Sequence, residues 1–148
     1  MKRGLLSVLI LFGAVVGSAA AIEAPQPKPG WWERSGTGDG KTGAMRTCIT
    51  AAMAAQSKQM NDDYNKKNCS KNETRQEGGK WITDRVCKVG GSTMTGHSVI
   101  VFDGDNAYHQ EGTVTYNPPF NGQSRTSLSM DAKWLGTCQA GRMPEVVK

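Results

Sequence analysis

The alternation of hydrophobic and polar positions changes period several times along the chain, and each change marks a predicted element. An apolar run from Leu5 to Val16 follows Lys2 and Arg3 and precedes Ser18-Ala19-Ala20-Ala21, small residues that fit an A-x-A cleavage site. Basic start, apolar middle and small-residue end are the layout of a cleavable export leader, here residues 1–21. The run is about a dozen residues, short of the roughly 20 that a bilayer-spanning helix needs. No later stretch is apolar enough, so no transmembrane segment is expected in the mature chain. Over residues 22–30, Pro25, Pro27 and Pro29 exclude both helix and central strand and predict an extended lead-in.

A single domain is expected over residues 31–140, followed by a flexible tail over 141–148. It opens with two short strands, 31–35 and 44–48, joined as a hairpin across Gly36, Gly38, Gly40 and Gly43. Thr50 is placed to cap a helix that starts at Ala51 and runs towards Tyr64 through Ala52, Ala54, Ala55, Gln56 and Lys58, which favour helix. Met53, Met60 and Tyr64 lie along one side of it, and the two methionines are expected to anchor it on the sheet. After Cys69 the period turns to two. Short segments are punctuated by Gly78-Gly79, Gly90-Gly91, Asp103-Gly104-Asp105-Asn106 and Asn117-Pro118-Pro119-Phe120-Asn121-Gly122, which predicts five strands in series. In the clearest of them Leu128, Met130, Ala132 and Trp134 share one face, while Arg125, Ser127, Asp131 and Lys133 share the other.

The hydrophobic pattern also sets a register for segments 93–103 and 107–117, because a one-residue slip sends each side chain to the opposite face. A three-residue loop, Gly104-Asp105-Asn106, pairs Asp103 with Ala107, Phe102 with Tyr108, Gly96 with Val114 and Met94 with Tyr116. This gathers the large apolar groups and Ile100 on one face, whereas a two-residue loop splits them. The longer loop is therefore preferred. It leaves Thr93, Thr95, His97, Val99, Val101, His109, Glu111, Thr113 and Thr115 on the outer face.

Composition narrows the partners. Without residues 1–21 about 127 remain of the 148, enough for one domain with a modest core. The formal charge of +5 falls to +3 once Lys2 and Arg3 leave with the leader. Basic residues are scattered, Lys66-Lys67 being the densest pair, so no phosphate-tracking groove is indicated and nucleic acid is not an expected partner. Cys48, Cys69, Cys87 and Cys138 form an even set in an exported domain of this size, which reads as two disulfides. Three connectivities are open. Cys48 with Cys69 and Cys87 with Cys138 is preferred, because the first bridge would bracket the helical insert and the second would tie the middle of the sheet to its last strand. Zinc and redox uses are disfavoured, since no two cysteines stand two to four residues apart.

Candidate chemistry is thin. In the preferred register His97 faces Thr113 and His109 faces Val101, so the only two histidines share a face but stand four residues apart, roughly 13 Å at about 3.3 Å per residue. That is too far for one metal ion, and His109 with Glu111 reads as an exposed polar pair. No serine lies in G-x-S-x-G, and the glycines of Asp39-Gly40-Lys41-Thr42-Gly43 and Lys88-Val89-Gly90-Gly91-Ser92 lack phosphate-loop spacing. Asp103-Gly104-Asp105-Asn106 lacks the spaced ligand set of a calcium loop and reads as a turn. No catalytic residue, metal site or cofactor is assigned.

Several of these residues together carry a family resemblance. Pro29-Gly30-Trp31-Trp32-Glu33 after a leader, Thr47-Cys48 before a short helix, Cys69, Gly79-Lys80-Trp81 running to Val86-Cys87, and Trp134-Leu135-Gly136-Thr137-Cys138 at the end resemble the bacterial exported family called domain of unknown function 3617. Its members commonly show a P-G-x-W-E opening, four spaced cysteines and a closing G-x-C. The resemblance implies an envelope protein of mostly antiparallel sheet with one helix and carries over no catalytic residues.

The expected fold is therefore mainly β: an antiparallel curved sheet or partial barrel with one α-helix packed on it and two disulfides, in a periplasmic or secreted protein. The expected role is a noncatalytic binding module for an apolar or amphipathic envelope ligand. Trp81, Phe102, Tyr108, Tyr116, Leu128, Met130 and Trp134 are the candidate ligand-facing residues, and the same set would equally serve as an ordinary core. Two alternatives stand beside this reading. One is an interaction partner or inhibitor anchored by exposed Trp31 or Trp32; the other is an enzyme of unassigned type.

Overall fold

Turn chemistry sets the strand boundaries. The computed structural model describes residues 22–139 and 144–147. The leader expected over 1–21 lies outside the described residues, as do 140–143 and 148 of the expected tail. The elements run β1 (Gly30–Gly38), β2 (Lys41–Ile49), α1 (Ala51–Asn68), β3 (Cys69–Glu77), β4 (Lys80–Val89), β5 (Ser92–Asp103), β6 (Ala107–Phe120), β7 (Gln123–Gly136) and β8 (Glu145–Val147). Between β1 and β2, Asp39 and Gly40 both take positive φ, 49° and 78°. Two left-handed residues are what a two-residue hairpin turn of matching twist requires. The Asn121-Gly122 turn between β6 and β7 repeats the arrangement, with φ of 50° and 80°.

The five expected strands after Cys69 form an uninterrupted meander, and the N-terminal hairpin adds to its far side. Strand order is β3-β4-β5-β6-β7-β1-β2-β8. Every pair is antiparallel. The β5–β6 register matches the hydrophobic pattern: Asp103 pairs with Ala107, Phe102 with Tyr108, and Met94 with Tyr116. The sheet is open and curled, with β3 at one edge and β8 at the other. Strand β3, CSKNETRQE, is almost wholly polar, which discourages pairing with another chain at that edge.

The core lies on the inner face of the curl. Trp32, Tyr108 and Ala132 are buried, with Ile49, Ile100, Phe102, Met130 and Trp134 packed against them. The Trp32 and Tyr108 rings are tilted with centroids 5.6 Å apart, a favourable edge-oriented contact. Register explains the grouping: Trp32 pairs with Trp134 and Arg34 with Ala132 on β7, and Ala132 pairs with Tyr108 on β6.

Two disulfides form, but not with the expected connectivity. Cys48 joins Cys138, and Cys69 joins Cys87. The expected pairs, Cys48 with Cys69 and Cys87 with Cys138, presumed that the last long strand ends beside the strand that carries Cys87. Instead β7 lies beside β1, whose Trp31 pairs with both Gly136 and Cys48, so the end of β7 arrives next to Cys48. Cys69 and Cys87 are direct partners in the β3–β4 hairpin. The expected flexible tail also needs correction, because Glu145–Val147 pairs with β2. Arg46 on β2 bridges Glu33 on β1 at 2.6 Å and Glu145 on β8 at 3.4 Å, which holds the short strand in place.

Thr50 caps α1 as its position implied, its hydroxyl accepting the Met53 N–H at 3.1 Å. Lys66 and Lys67 in the last turn suit the negative end of the helix dipole. The expected anchoring by methionine does not hold: Met53 and Met60 are 49 % and 65 % exposed, and Tyr64 is 40 % exposed. The physical reason is that three large apolar side chains in eighteen helical residues make too narrow a stripe to hold a helix on a sheet. The helix packs mainly against β3 and β4 and runs directly into Cys69, whose bridge to Cys87 fastens its end.

Candidate functional site

Because α1 is held at one end and is polar where it overhangs the sheet, it roofs the inner face without filling it. A chamber of about 890 Å³ remains between α1, the sheet and the lead-in. This lies within the roughly 300–1,000 Å³ usual for small-molecule sites. Its floor is built from inward positions of β4 to β7, including Arg85, Gly96, Ile100, Phe102, Tyr108, Gly112, Val114 and Leu128. Gly96 and Gly112 carry no side chain into this space, and a Cβ at Gly112 would meet its nearest neighbours only at ordinary contact distances of 3.7 and 3.8 Å. Ser57, Lys58, Asn61, Asp62 and Asn65 on α1 form the roof, and residues 23–27 form one wall.

The lead-in is fixed there by the core tryptophans. The Trp32 indole N–H donates to the Lys28 carbonyl at 2.9 Å, and the Trp134 indole N–H donates to the Pro29 carbonyl at 3.2 Å. The Lys28 ammonium sits 3.7 Å from the centroid of the Trp134 ring, a cation–π contact. Farther out, Lys58 on α1 bonds Glu23 of the lead-in at 3.1 Å and Asp62 at 2.7 Å. Those two carboxylates hold the Lys58 ammonium above its ordinary pKa, Asp62 contributing most.

The candidate ligand-facing residues separate into three groups. Phe102, Tyr108 and Leu128 line the chamber. Met130 and Trp134 pack against the buried core instead. Tyr116 stacks on Phe120 at 5.7 Å and Trp81 is half-buried, and neither lines the chamber. Trp31 and Trp32 correct the expectation of exposed anchors, being only 4 % and 1 % exposed. Adjacent strand residues face opposite ways, so Trp32 enters the inner core while Trp31 is covered on the other face beside the Cys48 bridge.

Each histidine has a carboxylate partner that single-strand reading missed. His97 Nδ1 lies 2.6 Å from Asp84, its direct partner on β4, and His109 Nδ1 lies 2.7 Å from Asp131, its direct partner on β7. His109 also reaches Glu111 at 3.4 Å. Asp131 first, then Glu111, raises the His109 pKa; His97 first, then Arg75, lowers that of Asp84. The histidines belong to separate pairs, and among the described residues no three His, Cys, Asp or Glu side chains gather as metal ligands. A shallower outer-face groove of about 470 Å³ passes His97, Glu111 and Ser129, with His97 already engaged by Asp84.

Arg85 and the roof of α1 are the site residues that sequence reading missed. The available signal was alternation: Trp81, Thr83, Arg85 and Cys87 all point inwards from β4, and an arginine at such a position needs a reason.

Fold and site together define a small disulfide-bridged antiparallel β protein with a roofed chamber on its inner face. Two disulfides fit an oxidising compartment, and among the described residues no helix is long and apolar enough to cross a membrane. The chain belongs to the family described as Protein of unknown function (DUF3617), whose model matches residues 27–138. No curated protein and no solved structure matches the chain.

Proposed function

We propose that this protein is a noncatalytic binding module of the periplasm or extracellular space, which takes an apolar or amphipathic envelope ligand into the chamber beneath α1. One observation carries the reading: the sheet's inner face is roofed but not filled, leaving about 890 Å³ with an aromatic and aliphatic side and a polar side. A helix serving only to cover a core would turn its apolar residues inwards, whereas α1 turns Ser57, Asn61 and Asn65 towards this space and leaves Met53 and Met60 outside. The leader-like start and the two disulfides support the location. Burial of Trp31 and Trp32 weighs against the interaction-partner alternative.

The test uses the neutral apolar fluorophore N-phenyl-1-naphthylamine with the mature protein. Saturable fluorescence enhancement and a raised Tm are expected. Gly112→Phe, which places a ring in the chamber from a position with room for a Cβ, should abolish both while keeping a cooperative melt. Wild-type protein that neither binds the probe saturably nor gains Tm would refute the role.

A further inference from the structure

We infer that the ligand is a long-chain carboxylate, held at its head by Arg85; this rests on the binding role proposed above and specifies its chemistry. Arg85 projects from the inner face of β4 between Asn72 on β3 and Gly96 on β5. Its Nε is buried and has no hydrogen-bond partner. Its Nη1 donates to Asn61 Oδ1 of α1 at 3.4 Å, and the residue lines the chamber. A guanidinium at a partly enclosed wall gains from an ionic partner, and a planar carboxylate accepts N–H bonds from its Nη groups.

Among the described charged side chains of the chamber wall, Arg85 is the cation without an acidic partner. Lys58 is already matched by Glu23 and Asp62. The Asp39 carboxylate accepts the Ser127 N–H at 2.9 Å, and His97 lies against Asp84. Arg85 forms no ion pair among the described residues, and Asn61, its one partner, is neutral. A monoanion would pair with Arg85 locally, whereas a phosphate dianion would carry its second charge in beside Glu23 and Asp62. The apolar end follows from the same strand geometry. Gly96 lies opposite Arg85, and Ile100 and Phe102 follow on the same face of β5, about 13 and 20 Å along at about 3.3 Å per residue. A hydrocarbon chain laid over Gly96 would reach the Ile100, Phe102, Tyr108 and Leu128 side chains.

Isothermal titration of the mature protein with decanoate, decanol, decylamine and decyl phosphate tests this. Decanoate should bind roughly 10- to 100-fold more tightly than decanol, the range for a charge-assisted pair of hydrogen bonds. It should also exceed decyl phosphate and decylamine. Arg85→Met should bring decanoate to within about threefold of decanol, and a cooperative thermal melt reports that the variant is folded. Arg85→Lys, which keeps the charge but loses the fork, should retain only part of the preference. Equal binding of decanoate and decanol by the wild type, tighter decyl phosphate, or a preference that survives Arg85→Met would overturn the carboxylate assignment and leave the chamber's binding role standing. Failure of all four compounds and of the neutral fluorophore would instead remove the binding role itself.

Discussion

Replacing Cys48 and Cys138 together by alanine should destabilise the protein more than replacing Cys69 and Cys87, and the difference follows from where the bridges fall. The first closes a sequence separation of 90 residues and the second one of 18. In the chain-entropy picture the unfolded state gains freedom with the logarithm of the closed length, which gives about 4.6 kcal/mol for the long loop and about 3.2 kcal/mol for the short one. The difference of about 1.4 kcal/mol depends only on the ratio of the two lengths. Urea unfolding under non-reducing conditions reads it directly. With a slope of about 2 kcal/mol per molar for a domain of this size, the two double variants should differ in midpoint by about 0.7 M. Both lie below the wild type, and a loss near 4.6 kcal/mol is a third or more of the stability of many domains, so the long-loop variant should be the one that loses structure on warming. Equal midpoints, or a less stable short-loop variant, would refute this reasoning. Non-reducing peptide mapping that joined Cys48 to Cys69 would refute the connectivity beneath it.

Two further predictions concern packing and charge. Trp32→Ala should cost about 3–5 kcal/mol in chemical denaturation because the ring is 1 % exposed at the centre of the core, whereas Met60→Ala, 65 % exposed, should stay within about 0.5 kcal/mol; similar losses would place the core elsewhere. In an NMR titration His109 should change charge above its ordinary 6.5, and Asp131→Asn should bring its midpoint back down. With the folded pKa raised, the pair's stabilising contribution is complete below the unfolded value and disappears as pH climbs through the folded one. A His109 midpoint at or below 6.5, or one unmoved by Asp131→Asn, would contradict the cross-strand pair.

The local features of this fold were readable because they depend on neighbours in sequence. Thr50 before an alanine-rich run identifies the helix start, and the apolar pattern around Gly104-Asp105-Asn106 admits one good register for β5 and β6. The connectivity was not readable, because nothing local in Trp31 to Gly38 announces that its second neighbour will be β7; that pairing joins Trp31 to Gly136. Once it is known, the disulfides follow. The chamber was legible by half. Phe102, Tyr108 and Leu128 could be placed on one face by alternation, but whether that face is filled depends on the orientation of α1. Here the apolar spacing of Met53, Met60 and Tyr64 pointed to the wrong side, because the helix is tethered at Cys69 rather than seated by packing. Arg85 was overlooked for a related reason: its partner, Asn61, comes from α1 across the chamber, and that is a tertiary fact.

The place of β7 between β6 and β1 favours one order of assembly. Strands β3 to β7 are successive hairpins and can zip together with short loop closures, which favours early formation. The hairpin of β1 and β2 emerges first yet must wait with one side of β1 unpaired until the last long strand has arrived. A chain stopped anywhere before β7 would therefore present two separate pieces: a tryptophan-bearing hairpin and an unfinished meander, each with an open edge. Docking of β7 on β1 and formation of the Cys48–Cys138 bridge become linked late events, and β7 acts as the keystone between the N-terminal hairpin and the meander.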